Sequence, residues 1–291
     1  MSPDQTVPAR LPDLVEAFAQ TASAILGLAR SCSDDDRGQP TECPGWTVHD
    51  QIAHVVGVEA WLGGHKDPKV QMPPYDHIKN DLGRKVEYAV QVRRGRTGAE
   101  LVAELESVLA QRLSTLRNPA LTDSSIIAGP FGPDEAATVL RLRIFDVWTH
   151  EQDIRSALGR PGNLDSPAAA ICVSLVMPEL PRLVARGARI EPGQAVIIEV
   201  IEATEVIEAT EVTGPVVTRQ GVVVELDDQG RARGRATSGQ ALSDPTTTIS
   251  LSTEAFTRRA AGRRPVSDTP YSVKGDDAIA RRVLEALVVT H

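Results

Sequence analysis

Asp146 and His150 stand one helical turn apart in the stretch Arg141–Gly159, which reads as a long helix stopped by a glycine and followed by Pro161. At ~100° per residue, Leu140, Ile144, Val147, Ile154 and Leu158 fall on one apolar stripe. Beside it Arg143, Asp146, His150 and Asp153 form a second stripe, with Val139 and Leu142 around it. A surface helix keeps its charges opposite its apolar residues, so an acid and a histidine hemmed in by apolar neighbours could share one metal ion or one proton. The plain alternative is an exposed i, i+4 pair inside a solvated charge ladder. His150-Glu151 also opens like a zincin motif, but that chemistry needs a second histidine four residues on, where Ile154 stands.

A third candidate, His54, lies mid-helix. Its segment opens at Thr47-Val-His-Asp50, a capping-box-like start with Asp in place of Glu, and closes at Gly63-Gly64. His54 shares a face with Val58 and Trp61 and so points to the core, where a lone histidine is most simply a hydrogen-bonded core residue. His49 and His65, at the helix ends, read as surface histidines. Cys43 precedes the turn Pro44-Gly45 with no base fixed beside it, and reads as a buried structural thiol rather than a nucleophile.

The elements that must position these residues follow from periodicity. Helical spacing runs from Leu11 to Leu28, then Ser33 to Pro40 breaks it. Ile78 to Val92 is helix-compatible, Thr97-Gly-Ala-Glu100 is a capping box opening a helix to Leu116, and 119–134 is a Gly-Pro loop. Four long helical segments thus precede residue 160, and bundles of this kind build metal sites from inward-facing side chains on different helices. Ser166 to Arg186 is a further apolar helix disrupted by Pro178 and Pro181, with a boundary expected at Gly187, giving domains 1–187 and 188–291.

Beyond it the runs Ala195–Val200, Val216-Val217, Val222–Leu226 and Thr246–Leu251 read as strands. The hexapeptide Val200–Glu205 is repeated at Val206–Glu211, which reads as a lengthened hairpin or a bulged strand. A helix from Ser252 to Ala261, a short strand at Tyr271–Lys274 and a helix to Leu287 complete an α+β half.

The 291 residues are 41% hydrophobic and 24% charged, as in a globular chain, and a net charge of -8 argues against a footprint for nucleic acid or anionic membrane. Three widely spaced cysteines form neither a disulfide framework nor a Cys-X-X-Cys site and suit a reducing compartment. No basic leader and no stretch of ~20 apolar residues is read, so a cytoplasmic protein is expected.

Two motifs carry a resemblance. Cys43-Pro-Gly-Trp-Thr-Val-His-Asp-Gln-Ile-Ala-His54 and Arg143-Ile-Phe-Asp-Val-Trp-Thr-His-Glu-Gln-Asp-Ile-Arg-Ser-Ala-Leu-Gly-Arg-Pro161 resemble the mycothiol-dependent maleylpyruvate isomerase family, one of the DinB-like metal-binding bundles that include thiol S-transferases. The tail from Thr248 to Arg263 is similar to the family's second domain, itself like sterol-carrier modules. The resemblance implies an α plus α+β chain: an N-terminal DinB-like four-helix bundle followed by a smaller sterol-carrier-like α+β domain.

It also implies a ligand set of His54, Asp146 and His150 for a divalent metal, Zn²⁺ foremost. Asp146 stands where the family pattern has Glu, one methylene longer, and either carboxylate ligates zinc. Asp153 is then expected behind the ligands, orienting a histidine. The implied activity is a metal-dependent enzyme that uses mycothiol as thiol cosubstrate, either to isomerise a small electrophilic substrate or to transfer sulfur to it. The alternatives are a non-catalytic metal- or small-ligand-binding protein of the same fold, or a regulatory relative that lost the chemistry.

Overall fold

The computed structural model describes residues 7, 9–202 and 216–290. The chain divides into two compact units, one formed by Thr6–Gly162 and the other chiefly by Asn163–His291.

The first unit is helical. Its helices are α1 (Leu11–Ser31), the short α2 (Asp34–Gly38), α3 (Val48–Leu62), α4 (Asp81–Gln91), α5 (Gly98–Leu116) and, after a small hairpin, α6 (Ala136–Leu158). α3 and α5 start on full capping boxes. The Thr47 and Thr97 hydroxyls accept from the Asp50 and Glu100 amides, and those two acids accept from the cap amides in return. α6 stops at Gly159 in the left-handed conformation, φ 61°.

α6 packs on α1, and α3 packs on α5, α4 and α6. Leu140, Ile144, Val147 and Ile154 are buried as the apolar stripe requires, with Leu158 half-buried. At Gly57 a Cβ would lie 2.5 Å from the Ala89 Cβ, so the missing side chain lets α3 and α4 approach closely.

Several local expectations change. The break after Ser33 is itself the capped helix α2, and the 119–134 loop carries the antiparallel pair β1 (Ile126–Ile127) and β2 (Asp134–Glu135). Trp61, expected to share a core face with His54, is 37% exposed, and the Lys85 ammonium sits over its ring at 3.4 Å.

The second unit begins earlier than expected. α7 (Pro167–Val176) starts on the Ser166 cap and gives way at the prolines to a 3₁₀ turn, the short α8 (Leu180–Arg182) and a π turn ending at Gly187. These turns and α7 pack against elements of the sheet unit, which moves the boundary from Gly187 to Gly162. The run Pro167–Gly187 is also long and apolar enough to cross a membrane by length and composition, contrary to expectation. With 61% of it buried inside the protein, it is a core segment.

The unit's five-stranded sheet has the order β5-β4-β3-β6-β7. β3 (Ala195–Ile201) lies antiparallel to β4 (Val217–Leu226) and parallel to β6 (Thr247–Ser252); β5 (Ala232–Ser238) and β7 (Ser272–Gly275) close the edges. α9 (Thr253–Ala260) and α10 (Asp277–Ala286) pack on this sheet. The two strands expected at Val216-Val217 and Val222–Leu226 are the single strand β4, and β5 was not expected at all. The reading of the repeat Val200–Glu211 as a hairpin or bulge lies outside the described residues after Glu202.

Candidate metal centre

His54 from α3 and Asp146 and His150 from α6 converge inside the helical unit, each offering one ligand atom within 4.8 Å of the others. His54 Nε2 lies 3.0 Å from Asp146 Oδ2, His150 Nε2 lies 3.6 Å from Asp146 Oδ1, and the two imidazole centroids are 4.2 Å apart. Both histidines are buried, whereas the Asp146 side chain is 31% exposed, which leaves the centre open to solvent on the carboxylate side.

The groups around the three fix their orientation. His150 Nδ1 faces Gln51 Oε1 at 2.5 Å and Asp153 Oδ2 at 3.3 Å. Gln51 in turn donates its amide to the Thr41 hydroxyl at 2.7 Å, so its carbonyl oxygen is the atom presented to His150. With acceptors at Nδ1, that nitrogen carries a proton and Nε2 is turned toward Asp146. Arg143, 2% exposed, donates Nη1 to Asp146 Oδ2 and Nε to Glu59 Oε1, each at 2.8 Å. The Trp46 ring lies 5.1 Å from the His54 ring and 5.7 Å from that of His150, with its indole N–H donated to Glu87 at 2.8 Å.

Charge follows from this packing. Burial pushes His54 down to about 4, against the opposing pull of Asp146, so it is neutral at physiological pH. Burial pushes the Asp146 carboxyl up, but Arg143, His54 and His150 together hold it well below the usual carboxylate range. His150 is lowered by burial and raised more strongly by Asp146 and Asp153, for a net rise above the ordinary imidazole value.

These residues fit a divalent cation. Two ligands ~2.1 Å from one zinc at tetrahedral angles stand ~3.4 Å apart, and the two measured His–Asp separations bracket that value. Two imidazoles and one carboxylate with a solvent-facing side are the donor set of an open site rather than a closed structural one. Buried His54 Nδ1 has no hydrogen-bond partner among the described residues, so nothing on that edge of the ring holds the imidazole away from an ion at Nε2.

The three residues expected as ligands are thus brought together, with Asp153 behind His150 where an orienting acid was expected. Cys43 is half-buried rather than buried, in the turn before α3, and Cys32 and Cys172 are buried and not disulfide-bonded. His49 is half-buried with Nε2 on the Arg93 carbonyl, and His65 is exposed. Gln51, Glu59 and Trp46 were not picked out from sequence. Gln51 alone had a local signal, three residues before His54 on the same helix. His77, which shares Glu87 with Trp46 at 2.8 Å, lies outside any periodic segment.

Over residues 18–155 the sequence matches the profile of the mycothiol maleylpyruvate isomerase N-terminal domain. A comparison with curated protein sequences returns no match. Among solved structures, the chain aligns with the crystal structure of the mycothiol-dependent maleylpyruvate isomerase at 17% identity, over 91% of this chain and 92% of that one, with a TM-score of 0.51. A histidine-to-alanine mutant of that enzyme aligns at 16% identity with the same coverage and TM-score. At such identities the likeness is one of fold, and it agrees with a DinB-like bundle followed by an α+β unit.

Proposed function

We propose, from the match of residues 18–155 to the mycothiol maleylpyruvate isomerase N-terminal domain profile, that the protein is a divalent-metal-dependent enzyme that uses a low-molecular-weight thiol, mycothiol, on a small electrophilic substrate. The observation that carries this reading is the convergence of His54, Asp146 and His150 beside a partly exposed carboxylate. These three residues would hold the metal, with Zn²⁺ foremost. A divalent cation held there would supply positive charge that lowers the pKa of a thiol from its ordinary ~8.5, so that the thiol gives its proton to solvent at physiological pH.

The chain's own residues then divide the work. Neutral His54 and oriented His150 present ring nitrogens, while Arg143 holds one Asp146 oxygen and fixes the rotation of its carboxylate. Asp153 and Gln51 keep the Nδ1 proton of His150 in place, and the Trp46 ring shields the two imidazoles from water on one side. No side chain has to act as nucleophile.

In an isomerisation the thiolate sulfur adds to one carbon of an activated double bond, and the π electron pair moves onto the attached carbonyl. Rotation follows about the resulting single bond. The pair then returns and expels the thiolate, restoring the double bond with the other geometry. In an S-transfer the carbanion is protonated instead and the adduct is kept. Cys32, Cys43 and Cys172 form no disulfide, which supports a reducing, cytoplasmic setting for such chemistry.

The test is metal analysis of the purified protein together with a panel of thiols against a generic electrophile. About one divalent ion per chain and a mycothiol-dependent rate are expected. Metal without any thiol-dependent rate would favour a non-catalytic metal-binding protein, and a metal-free, inactive chain would end the proposal.

A further inference from the structure

Behind the metal centre, α3 and α5 line a cavity of about 140 Å³, with Glu59, Leu62, His65, Val108, Gln111 and Arg112 in its wall. Arg112 is 6% exposed, yet its Nε and Nη2 make no hydrogen bond to the described protein. Glu59 Oε2 lies 3.1 Å from Nε, near enough for an ion pair but out of line for a hydrogen bond. A buried guanidinium has five N–H donors to satisfy, and leaving them unmet is costly.

Burial pulls Arg112 below the ordinary arginine range; Glu59 opposes this and Arg143 reinforces it. The other Glu59 oxygen accepts from Arg143, which also holds Asp146. Two guanidinium groups therefore share one carboxylate at the cavity end of a buried chain that runs Arg112, Glu59, Arg143, Asp146.

We propose that this cavity binds a small anion, a short carboxylate or an inorganic oxyanion, which engages Arg112 and acts on Asp146 through Glu59 and Arg143. The site itself stands on the cavity and Arg112, and only its coupling rests on the reading of Asp146 as a metal ligand. An apolar cavity of about 150 Å³ accommodates benzene, so the space admits a ligand of about six heavy atoms. Gln111 turns its carbonyl oxygen to His65 Nε2 at 3.0 Å, which leaves its amide N–H groups as donors. Leu62 and Val108 supply an apolar wall for a short tail. Glu59 does not repel the ligand outright, because both its oxygens already face guanidinium groups.

The coupling has a sign. An anion on Arg112 takes over positive charge that Glu59 now divides between two arginines, so Glu59 neutralises Arg143 more fully. Arg143 then draws less on Asp146, and a cation there is held more tightly. By linkage the cation strengthens anion binding by the same factor.

The experiment uses the full-length chain. Thermal unfolding of the metal-free protein is followed with acetate or phosphate, against chloride as the reference salt at the same ionic strength, for wild type, Arg112→Met and the cavity-filling Val108→Phe. A saturable rise in Tm for wild type, absent from both variants, is expected, and the anion that produces it identifies the source. Equal shifts in all three proteins mean a general salt effect and overturn the site. Should Arg112→Met fail to fold, Val108→Phe carries the comparison, since Val108 is outside the ion chain.

Zn²⁺ titration with and without the stabilising anion follows, with affinity expected to rise about fivefold or more. Unchanged zinc affinity overturns the coupling. A chain that binds the anion but no zinc overturns the metal reading and leaves the anion site standing.

Discussion

The helical unit and the sheet unit bury charge in opposite ways. In the sheet unit the described core is mainly apolar, built from Val196, Ile197, Ile198, Val222, Val224, Ile249, Leu251 and Phe256, with Arg258, Arg259 and several threonines also buried. Its buried Arg259 is spent on main-chain carbonyls, donating to those of Leu284, Arg264 and Glu285 at 2.7 to 2.9 Å. In the helical unit Arg112, Glu59, Arg143, His54, His150 and Asp153 are all buried, joined to one another and to Asp146 rather than to the backbone.

Replacing buried ion pairs by apolar residues is often neutral or stabilising, so a chain of this length contributes little to stability that packing would not. The difference separates two uses of a buried arginine: Arg259 ties main-chain carbonyls together, whereas Arg143 shares Asp146 with His54 and His150, where the proposed chemistry lies.

The widest separation of the two regions comes from His150→Ala. Losing one of the two imidazole ligands leaves only His54 and Asp146, too few donors to hold a catalytic zinc, so metal content should fall from about one per chain to near zero and the thiol-dependent rate should vanish with it. Full metal content in this variant would break the comparison at its root. In the sheet unit, Phe256→Ala should lower stability by about 3 to 5 kcal/mol in denaturant unfolding while leaving metal stoichiometry unchanged.

Acid should separate them next. The folded pKa of His54, about 4, lies below its ordinary value of 6.5, so the unfolded chain takes up the proton first. The stability this group contributes is present above pH 6.5 and lost as pH falls toward 4. The loss is roughly 2 kcal/mol by pH 5 in the metal-free protein. His150 has the opposite sign, its contribution being full below pH 6.5 and lost as pH rises through its raised folded value. Denaturant unfolding at pH 7 and pH 5 should therefore show a smaller acid loss for His54→Gln than for wild type; equal losses would place the acid sensitivity elsewhere.

Asp153→Ala removes only an orienting partner of His150, so metal affinity should drop roughly 10 to 100-fold and excess Zn²⁺ should restore activity. If this variant is metal-free while Asp146→Ala keeps its ion, the ligands are His54, His150 and Asp153 instead. The smallest effect is expected of Cys43→Ala, which should retain most of the thiol-dependent rate. Complete loss with normal metal content would point to a protein thiol as nucleophile.

The candidate centre was legible where its residues lie on one helix. The stripe Arg143, Asp146, His150 and Asp153 repeats at helical spacing among apolar neighbours, and both capping boxes announce their helices. The charged chain behind it was not legible, because Glu59, Arg112 and Arg143 are paired across three helices and no local pattern joins them. β5 escaped for a different reason. Ala-Arg-Gly-Arg-Ala-Thr-Ser has no apolar alternation, and its residues sit at an edge of the sheet where none needs to be buried deeply. The α7 boundary escaped because prolines that interrupt a helix do not reveal which neighbour its two halves pack against.

Trp46 gives the centre a built-in optical indicator. Its indole lies within about one ring's width of both imidazoles, at 5.1 and 5.7 Å, and is only 8% exposed, so its emission is governed by those rings more than by solvent. A protonated imidazole accepts an excited indole's electron readily, whereas a neutral one quenches far less. Trp61 is 37% exposed and Trp148 is buried on α6, so the Trp46→Phe difference isolates the Trp46 signal from theirs. On the proposed metal reading, intrinsic fluorescence should thus report proton release and ion uptake at His150, with Trp46→Phe as the control and no added label.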